Sequence, residues 1–371
     1  MRAMKRILIV ATGGTIASLP QGGGLSPALS GEELAAFVPQ LDDLCELSIV
    51  QPMNIDSTNM RPMDWLRIAS MIEGAYDDFD GFVVLHGTDT MAYTSAALSY
   101  LVRGSRKPIV LTGSQQPMSN PFTDAKLNLY QSVLYACDDG SRDVSVAFNG
   151  SVIAGTRAHK QRTLSFNAFT SVNYPPLAVI RSERIIRQGG GASDCAAVGG
   201  DRRAAGDCLA VGRGERAAAT DGNATAADVP ARRPDFYHEL DERVIVLKLT
   251  PELRPSIFDL LRRDYDAVVL ETFGIGGIPE YDGNAYQRAI YGWVASGRTL
   301  VITTQVPEEG LDLGVYEVGR AYADHPGILR ADDMTTEALV AKTMWALGQT
   351  RDQDEVARLF YAPVNHDRTL G

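Results

Sequence analysis

The chain has 371 residues, 45% hydrophobic and 22% charged, a balance typical of a soluble globular protein long enough for two domains. Its net charge of −11 disfavours nucleic acid as the main partner, because phosphate binding requires a basic surface. No apolar run approaches the ~18 residues that span a membrane, and residues 7–11 are too short an apolar run for a signal peptide. We therefore expect neither a nucleic-acid nor a membrane partner.

The cysteines and histidines show no metal-binding pattern. The five histidines form no pair at ligand spacing, and the four cysteines are too scattered for a disulfide framework or a zinc site. We therefore expect no metal site and a reduced, cytoplasmic location. The cysteines are Cys45, Cys137, Cys195 and Cys208.

Strand-like and helix-like segments alternate through the first half of the chain. Short β-branched runs predict buried strands, and longer segments between them predict helices. This alternation indicates βαβ units in a mostly parallel sheet. The predicted strands are 6–11, 46–50, 81–85, 108–111, 144–148 and 151–154, and the predicted helices are 31–37, 61–76, 91–101 and 124–136.

A second α/β pattern begins near Phe236. The fold class is therefore α/β with two domains, a larger N-terminal one with a mostly parallel sheet and flanking helices, and a smaller C-terminal one with a parallel sheet. We place these domains at residues 1–182 and 236–371. In the second, strands are predicted at 244–247, 267–270 and 299–302, and helices at 255–264, 282–296 and 335–348.

The segment between the two domains, residues 183–235, has an unusual composition. From Gly189 to Ala231, 22 of 43 residues are Gly or Ala, and no aromatic residue occurs between Tyr174 and Phe236. Such a stretch buries too little apolar surface to offset the entropy lost on ordering. It favours an irregular interdomain linker, with a shifted reading frame in GC-rich coding DNA as the alternative. We assign no function to it.

Two glycine turns each carry a threonine shortly after a predicted buried strand. The first contains Gly13-Gly14-Thr15, and the second contains Gly87-Thr88-Asp89. Ligands bind at the carboxyl ends of strands in open α/β sheets, so both hydroxyl groups are candidates for one small-molecule site. A threonine hydroxyl needs a base before it acts as a nucleophile. The alternative interpretation is helix capping, by Thr15 in the first turn and by Asp89 in the second.

Lys160 is the candidate base for this site. Desolvation favours the deprotonated amine of a buried lysine, whereas a neighbouring carboxylate favours the ammonium. Taken alone, Lys160 would be an ordinary surface lysine, and only its combination with the two threonine turns raises its importance.

Two further loops and one histidine complete the candidate site. The turn 56–59 suits recognition of an α-carboxylate and an α-amine, or is an ordinary polar loop before the next helix. The loop that begins at Gly113-Ser114 offers backbone N–H groups for an oxyanion. For His86, a structural hydrogen bond within its own turn is the simplest interpretation.

Taken together, these motifs resemble the bacterial-type L-asparaginases, in particular the cytoplasmic type I branch. The resemblance covers nearly everything outside the Gly/Ala stretch, and two long motifs in the right order make it specific. The matching segments are Thr12–Ala17, Asp56-Ser57, His86–Thr94, Thr112–Gln115, Arg157–Lys160, Phe166–Phe169, Gly314–Arg320, Gly327-Ile328 and Asp333–Thr335.

The resemblance implies an amidohydrolase that converts L-asparagine and water to L-aspartate and ammonia without a metal or organic cofactor. Thr15 would attack the side-chain amide to form an acyl-enzyme. Thr88, Lys160 and Asp89 would form a second catalytic set that activates the nucleophile or water and relays protons. The implied substrate-binding residues are Asp56, Ser57, Thr58, Gly87, Thr88, Asp89 and Ser114, with the ammonium at Asp89, the carboxylate at Ser57, and the oxyanion at the N–H groups of Thr88 and Ser114.

The resemblance also bears on assembly and on the loop after the first strand. The family is oligomeric, so we expect a homodimer or homotetramer with each site near a neighbour's C-terminal domain. The family often has a tyrosine on this loop, whereas residues 19–27 contain none, although Gly22-Gly23-Gly24 still suits a mobile lid. Either another group orients the nucleophile, or activity is reduced.

Two other functions stay open at this point. An ammonia-supplying subunit of a tRNA-dependent amidotransferase would use the same chemistry, but such chains usually carry an extra N-terminal domain. A catalytically weak amino-acid-binding or regulatory homologue belongs to a different class. The joint presence of Thr15, Thr88, Asp89 and Lys160 argues against it.

Overall fold

Two separate β-sheets organise the chain in the computed structural model, which describes residues 4–21, 24–27, 30–187, 233–315, 317–323 and 325–369. The strands before the Gly/Ala stretch are β1 (Lys5–Ala11), β2 (Ser18–Gln21), β3 (Gly24–Pro27), β4 (Cys45–Val50), β5 (Gly81–Leu85), β6 (Val102–Arg103), β7 (Ile109–Thr112), β8 (Val144–Phe148), β9 (Ser151–Ala154), β10 (Ala158–Lys160), β11 (Phe169–Ser171), β12 (Ala178–Arg181) and β13 (Arg184–Ile186). The helices of this part are α1 (Gly31–Ala36), α2 (Pro62–Ala75), α3 (Met91–Leu101) and α4 (Ala125–Ala136).

The larger sheet has the strand order β13-β12-β9-β8-β7-β5-β1-β4. Its strands from β4 to β8 are paired in parallel, whereas β9, β12 and β13 continue the sheet in antiparallel pairs. The central strands β5 and β7 are buried along their whole length, which explains their uninterrupted apolar sequences. The predicted α/β class is confirmed, and the antiparallel edge makes the sheet a mixed one.

The second sheet is smaller and entirely parallel, in the order β15-β16-β17-β18. The strands after the Gly/Ala stretch are β14 (Asp235–Phe236), β15 (Val244–Lys248), β16 (Ala267–Thr272), β17 (Thr299–Thr304) and β18 (Ile328–Arg330), and the helices are α5 (Ile257–Leu261), α6 (Tyr281–Ala295), α7 (Glu317–Ala323), α8 (Thr336–Gln349) and α9 (Gln353–Tyr361). The predicted helix 255–264 is shorter in the structure. The start of α6 departs from helical geometry, because Asp282, Gly283 and Asn284 have φ between 55° and 63°.

A continuous apolar core joins the two parts of the chain through α3 and α8. Tyr100 of α3 stacks on Trp345 of α8 with their ring centroids 6.0 Å apart, and both side chains are buried. The short strand β14 also pairs with β6, so chain from beyond the Gly/Ala stretch returns to the first part. The strands β1 and β5, which precede the two glycine turns, therefore share one apolar core with α8.

The Gly/Ala stretch, with Cys195 and Cys208, lies outside the described residues, and the domain boundaries stay predictions. At the two ends of the predicted linker, Arg184–Ile186 form β13 and Asp235 is the first residue of β14, so these ends are not irregular. Within the described ranges, no helix is both long enough and apolar enough to cross a membrane.

Candidate active site

The two glycine turns touch each other at the carboxyl ends of β1 and β5. The Thr12 N–H donates to Leu85 O at 2.9 Å, which extends the pairing of the two strands into the turns. Gly14 has φ +82°, and a Cβ atom there would lie 2.4 Å from the Cα of Gly87. A larger residue would force the turns apart. Because this contact joins the residues just before Thr15 and Thr88, it brings the two threonines to the same edge of the sheet.

Thr15 is the first residue of a short 3₁₀ turn that spans Thr15–Ala17, and its side chain is half-buried. Gly14 is the N-cap of this turn, and no side chain caps it. The helix-capping interpretation of Thr15 is therefore wrong. Within the described part of the chain, the Thr15 hydroxyl has no hydrogen-bond partner.

Lys160 lies at the end of β10 and connects both polar residues of the second turn. Its Nζ donates to Thr88 Oγ1 at 2.8 Å and to Asp89 Oδ1 at 2.5 Å. The Lys160 side chain is only 17% exposed, whereas the Asp89 side chain is 57% exposed. Thr90, not Asp89, is the N-cap of α3, so the capping interpretation of Asp89 is also wrong. The predicted grouping of Thr88, Asp89 and Lys160 is present in the structure.

Gln115 is a further partner of Thr88. The Thr88 hydroxyl donates to Gln115 Oε1 at 3.2 Å, while Gln115 Nε2 donates to the carbonyl oxygens of Thr163 at 2.9 Å and Ser165 at 3.3 Å. Those two carbonyls fix which end of the carboxamide faces Thr88. With its own proton directed at Gln115, the Thr88 oxygen accepts from Lys160 Nζ.

The turn 56–59 is attached to the second glycine turn through Ser57. Thr90 Oγ1 donates to Ser57 O at 2.8 Å, and a Cβ atom on Gly87 would lie 2.6 Å from Ser57 Oγ. Ser57 is therefore packed directly against the predicted site. Asp56 and Thr58 are exposed and engage each other, since Asp56 Oδ1 accepts from both the backbone N–H and the hydroxyl of Thr58 at 2.9 Å.

The loop after β7 is held by Asn128 in the first turn of α4 and by Asp124, the residue just before that helix. The carboxylate of Asp124 accepts from the backbone N–H groups of Gln115 and Gln116 at 3.0 to 3.1 Å. Asn128 Nδ2 donates to Gly113 O at 2.9 Å. Ser114 is buried, and its hydroxyl donates to Gln116 O at 2.5 Å. The backbone of Ser114 therefore has little freedom.

His86 is fully buried in the second glycine turn. Its Nδ1 lies 2.7 Å from Gly87 O, and Thr94 Oγ1 lies 2.9 Å from its Nε2. Burial lowers the pKa of His86 to about 4, so the ring is neutral at pH 7. The interpretation of His86 as a structural hydrogen-bonding residue in its own turn is confirmed.

The strand that carries Lys160 is anchored by residues from the second half of the chain. Arg157 is buried, and its guanidinium donates to His366 O at 2.5 Å and to Asp333 O at 2.8 Å. His159 Nδ1 lies 2.8 Å from Glu337 Oε1 in the first turn of α8. This hydrogen bond raises the pKa of His159, while desolvation opposes the change. The positioning of β10 therefore depends on docking of the C-terminal part.

Two family models match most of the chain. Residues 6–189 match the family described as Asparaginase, N-terminal, and residues 243–360 match the Glutaminase/Asparaginase C-terminal domain. The chain belongs to the asparaginase family. The resemblance to bacterial-type L-asparaginases is thereby confirmed.

Individual members of the asparaginase family match over almost the full chain. An L-asparaginase of Thermococcus kodakarensis is 36% identical over 95% of this chain and 96% of its own length. A glutamyl-tRNA(Gln) amidotransferase component from Metallosphaera sedula is 32% identical over 95% of this chain and 74% of its own length. The solved structure of L-asparaginase I from Vibrio cholerae has a TM-score of 0.79 at 27% identity, covering 99% of this chain and all of that one.

The sequence motifs indicate the reactive groups but not the residues that support them. In the sequence, Gln115 belongs only to a matching loop, and Asp124 and Asn128 only to a predicted helix. A polar residue just before a helix, as Asp124 is, is a signal that could have identified a loop anchor. Nothing in the sequence links Asn128 to Gly113, because the contact depends on how α4 packs against the sheet.

Proposed function

We propose that this protein hydrolyses the side-chain amide of L-asparagine to L-aspartate and ammonia. The observation that carries the proposal is the bridge from Lys160 to Thr88 and Asp89, next to a glycine turn that carries Thr15, whose hydroxyl has no partner among the described residues. Family membership and the related L-asparaginases support the choice of reaction. Release of ammonia by the protein alone, without a tRNA partner, would distinguish this function from that of the related amidotransferase component.

The proposed reaction has two steps with Thr15 as the nucleophile. Its oxygen attacks the amide carbon while its proton passes to a base, and the carbonyl oxygen becomes an oxyanion near the N–H groups of Thr88 and Ser114. The C–N bond then breaks, and the nitrogen takes up a proton and departs as ammonia. The acyl group stays on Thr15 as an ester. Water adds to this ester, and cleavage of the C–O bond releases L-aspartate and restores the Thr15 hydroxyl.

Proton transfer in this scheme is assigned to the Thr88–Lys160–Asp89 set. Lys160 Nζ reaches both the Thr88 hydroxyl and the Asp89 carboxylate, so a proton can pass between hydroxyl and amine through one hydrogen bond. The Lys160 side chain is only 17% exposed, so little water competes for its Nζ. A substrate ammonium on Asp89 would compensate the charge of the carboxylate beside Lys160.

Substrate recognition is assigned to the exposed face of Asp89 for the ammonium and to Ser57 for the carboxylate. Ser57 has no hydrogen-bond partner for its hydroxyl within the described residues, which supports this role. Asp56 and Thr58 are hydrogen-bonded to each other, so we assign them to shaping the turn around Ser57. Gly87 would bring its backbone close to the substrate.

The test is ammonia release by purified protein with L-asparagine and L-glutamine over a range of concentrations. We expect turnover that favours asparagine. Thr15→Ala should lower kcat by about 10⁴-fold or more because no nucleophile remains, whereas Thr15→Ser should retain measurable activity. Undiminished ammonia release by Thr15→Ala would reject the acyl-enzyme mechanism, and a folded but inactive wild type would favour the binding or regulatory homologue.

The proposal includes a cytoplasmic homodimer or homotetramer. Cys45 and Cys137, the cysteines within the described ranges, are free thiols, as a reducing compartment requires. Sedimentation or light scattering at the concentration of the activity assay would give the oligomeric state. A fully active monomer would contradict the expected contribution of a neighbouring subunit.

A further inference from the structure

The two backbone N–H groups assigned to the oxyanion have a shared structural feature. Each belongs to a peptide unit whose carbonyl oxygen accepts a hydrogen bond from a buried side chain. His86 Nδ1 lies 2.7 Å from Gly87 O, and Asn128 Nδ2 lies 2.9 Å from Gly113 O. His86 and Asn128 are 0% and 1% exposed.

A peptide unit is planar, and its C=O and N–H bonds point in opposite directions. A side chain that fixes Gly87 O therefore also fixes the direction of the Thr88 N–H, and the same holds for Gly113 O and the Ser114 N–H. Across the described residues, neither N–H donates to a protein acceptor. Donation to the carbonyl also polarises the peptide and strengthens its N–H as a donor.

The direction of each supporting hydrogen bond is fixed by chemistry. Gly87 O can only accept, so His86 carries its proton on Nδ1. The indole N–H of Trp65 donates to Thr94 Oγ1 at 3.0 Å, which leaves the Thr94 proton for His86 Nε2. Burial holds the pKa of His86 at about 4, so the ring stays in this neutral form.

Asn128 is fixed in the same way on the other side of the site. Its Oδ1 accepts from the backbone N–H of Asn149 at 2.9 Å, so its Nδ2 is the end that faces Gly113 O. The second proton of Nδ2 goes to Asp124 Oδ2 at 3.1 Å. The carboxamide therefore has no alternative orientation that satisfies its neighbours.

We propose that His86 and Asn128 are a pair of positioning residues that aim the Thr88 and Ser114 N–H groups at the developing oxyanion. Neither side chain touches the substrate in this scheme. The inference rests on the proposed function, because it requires that an oxyanion forms at these two N–H groups. It predicts a loss in kcat without a loss in ground-state binding, since the N–H groups matter most when the oxygen is charged.

The experiment compares kcat, KM, the Kd of L-aspartate by calorimetry, and Tm for a small set of variants. His86→Leu and Asn128→Leu should each lower kcat by about 10- to 100-fold, somewhat less than deletion of an oxyanion donor, with KM and the aspartate Kd within about threefold of wild type. His86→Asn, which can still donate to Gly87 O, should recover part of the loss.

Two matched controls separate aiming from general packing. Thr94→Val removes the contact on the far side of the His86 ring, and Ser132→Ala removes a buried hydroxyl of α4 that bonds Asn128 O. Both should lower Tm and leave kcat within about threefold of wild type, because they spare the bonds to Gly87 O and Gly113 O.

The outcomes distinguish this inference from the proposed function. If wild type releases ammonia, Thr15→Ala does not, and the two leucine variants keep their kcat, the positioning role is wrong and the reaction stands. If the leucine variants fail to fold, the kcat and Tm of His86→Asn are compared with those of Thr94→Val. If the two variants lose the same kcat and the same Tm, the inference is rejected. A wild type without amidase activity would overturn both.

Discussion

Two lysine–aspartate pairs in this molecule have the same separation and different surroundings. Lys160 Nζ lies 2.5 Å from Asp89 Oδ1, and Lys342 Nζ lies 2.5 Å from Asp367 Oδ2. The first pair adjoins the candidate site, with the Asp89 side chain 57% exposed, whereas both side chains of the second pair are 0% exposed. The distance between the charged atoms therefore does not distinguish a pair beside a candidate site from a pair buried in the core.

The buried Lys342–Asp367 pair makes further hydrogen bonds to other groups of the protein. Lys342 also donates to Ala362 O at 2.7 Å, and Asp367 accepts from Tyr100 at 3.0 Å and from the Val364 N–H at 3.0 Å. Desolvation lowers the pKa of Lys342 to about 8 although Asp367 opposes the change. This pair holds α3, α8 and the segment after α9 together. The exposed pair, in contrast, adjoins a threonine hydroxyl and leaves one carboxylate face open to a ligand.

The strongest test of this contrast is Lys160→Met, which should lower kcat by about 10³-fold or more because the proposed proton relay is lost. The change in Tm should be small, since partly exposed ion pairs contribute little to stability. Steady-state ammonia release and a thermal melt measure the two effects. Lys160→Arg is the control that keeps the charge beside Asp89. If it restored kcat to within tenfold of wild type, Lys160 would act through charge and not through proton transfer.

The complementary variant is Lys342→Met, which should lower the free energy of unfolding by about 3–5 kcal/mol, because Asp367 would remain buried without its partner. The protein that stays folded should keep the KM and kcat of wild type. Denaturant unfolding and activity at a low temperature check both statements. In the double variant Lys342→Met with Asp367→Leu, part of the loss should be recovered, because the unpaired buried carboxylate is removed while Tyr100 and the Val364 N–H lose their acceptor. A double variant less stable than Lys342→Met would contradict the ion-pair explanation.

The smallest expected effect concerns the neighbour of Lys160, His159, whose pKa is raised by its hydrogen bond to Glu337. A raised pKa in the folded protein means that the contribution to stability is complete below the ordinary value of 6.5 and disappears as the pH rises through the folded value. The Tm difference between wild type and Glu337→Gln should therefore be largest near pH 5.5 and shrink toward pH 9, as calorimetry can show. A constant difference over this range would exclude titration of His159 as the cause.

The sequence alone predicts the elements that have a clear local pattern. The buried strands β5 and β8 and the helix α3 have the predicted bounds, because apolar runs and glycine turns delimit them. Thr88 and Asp89 are adjacent in the sequence, and Lys160 is a candidate base only in combination with the two threonine turns. Its place in one set with them follows from the family resemblance, since the chain separation between Thr88 and Lys160 gives no local signal. The glycine motifs predict that the two turns lie at the same edge of the sheet, but not that Gly14 and Gly87 touch.

The remaining features depend on tertiary contacts. The three-residue strand β18 is too short for a periodic signal, and it forms because β17 offers it an edge. Gln115 acquires its role from two carbonyls about 50 residues away. The helix α9 is absent from the predicted elements, although the sequence does carry a signal for it: Val356, Leu359 and Phe360 form a buried face at helical spacing, and Asp352 caps the helix.

The anchoring of β10 also has a consequence for the order in which the protein is made. Thr156 and Arg157 bond to the carbonyls of Asn365 and His366, which follow each of them by 209 residues. A ribosome that has translated Lys160 has supplied every reactive side chain of the candidate site, yet it has still to synthesise the groups that hold that lysine's strand. We therefore expect the nascent chain to gain its chemistry late, when residues 365 and 366 have left the exit tunnel and docked.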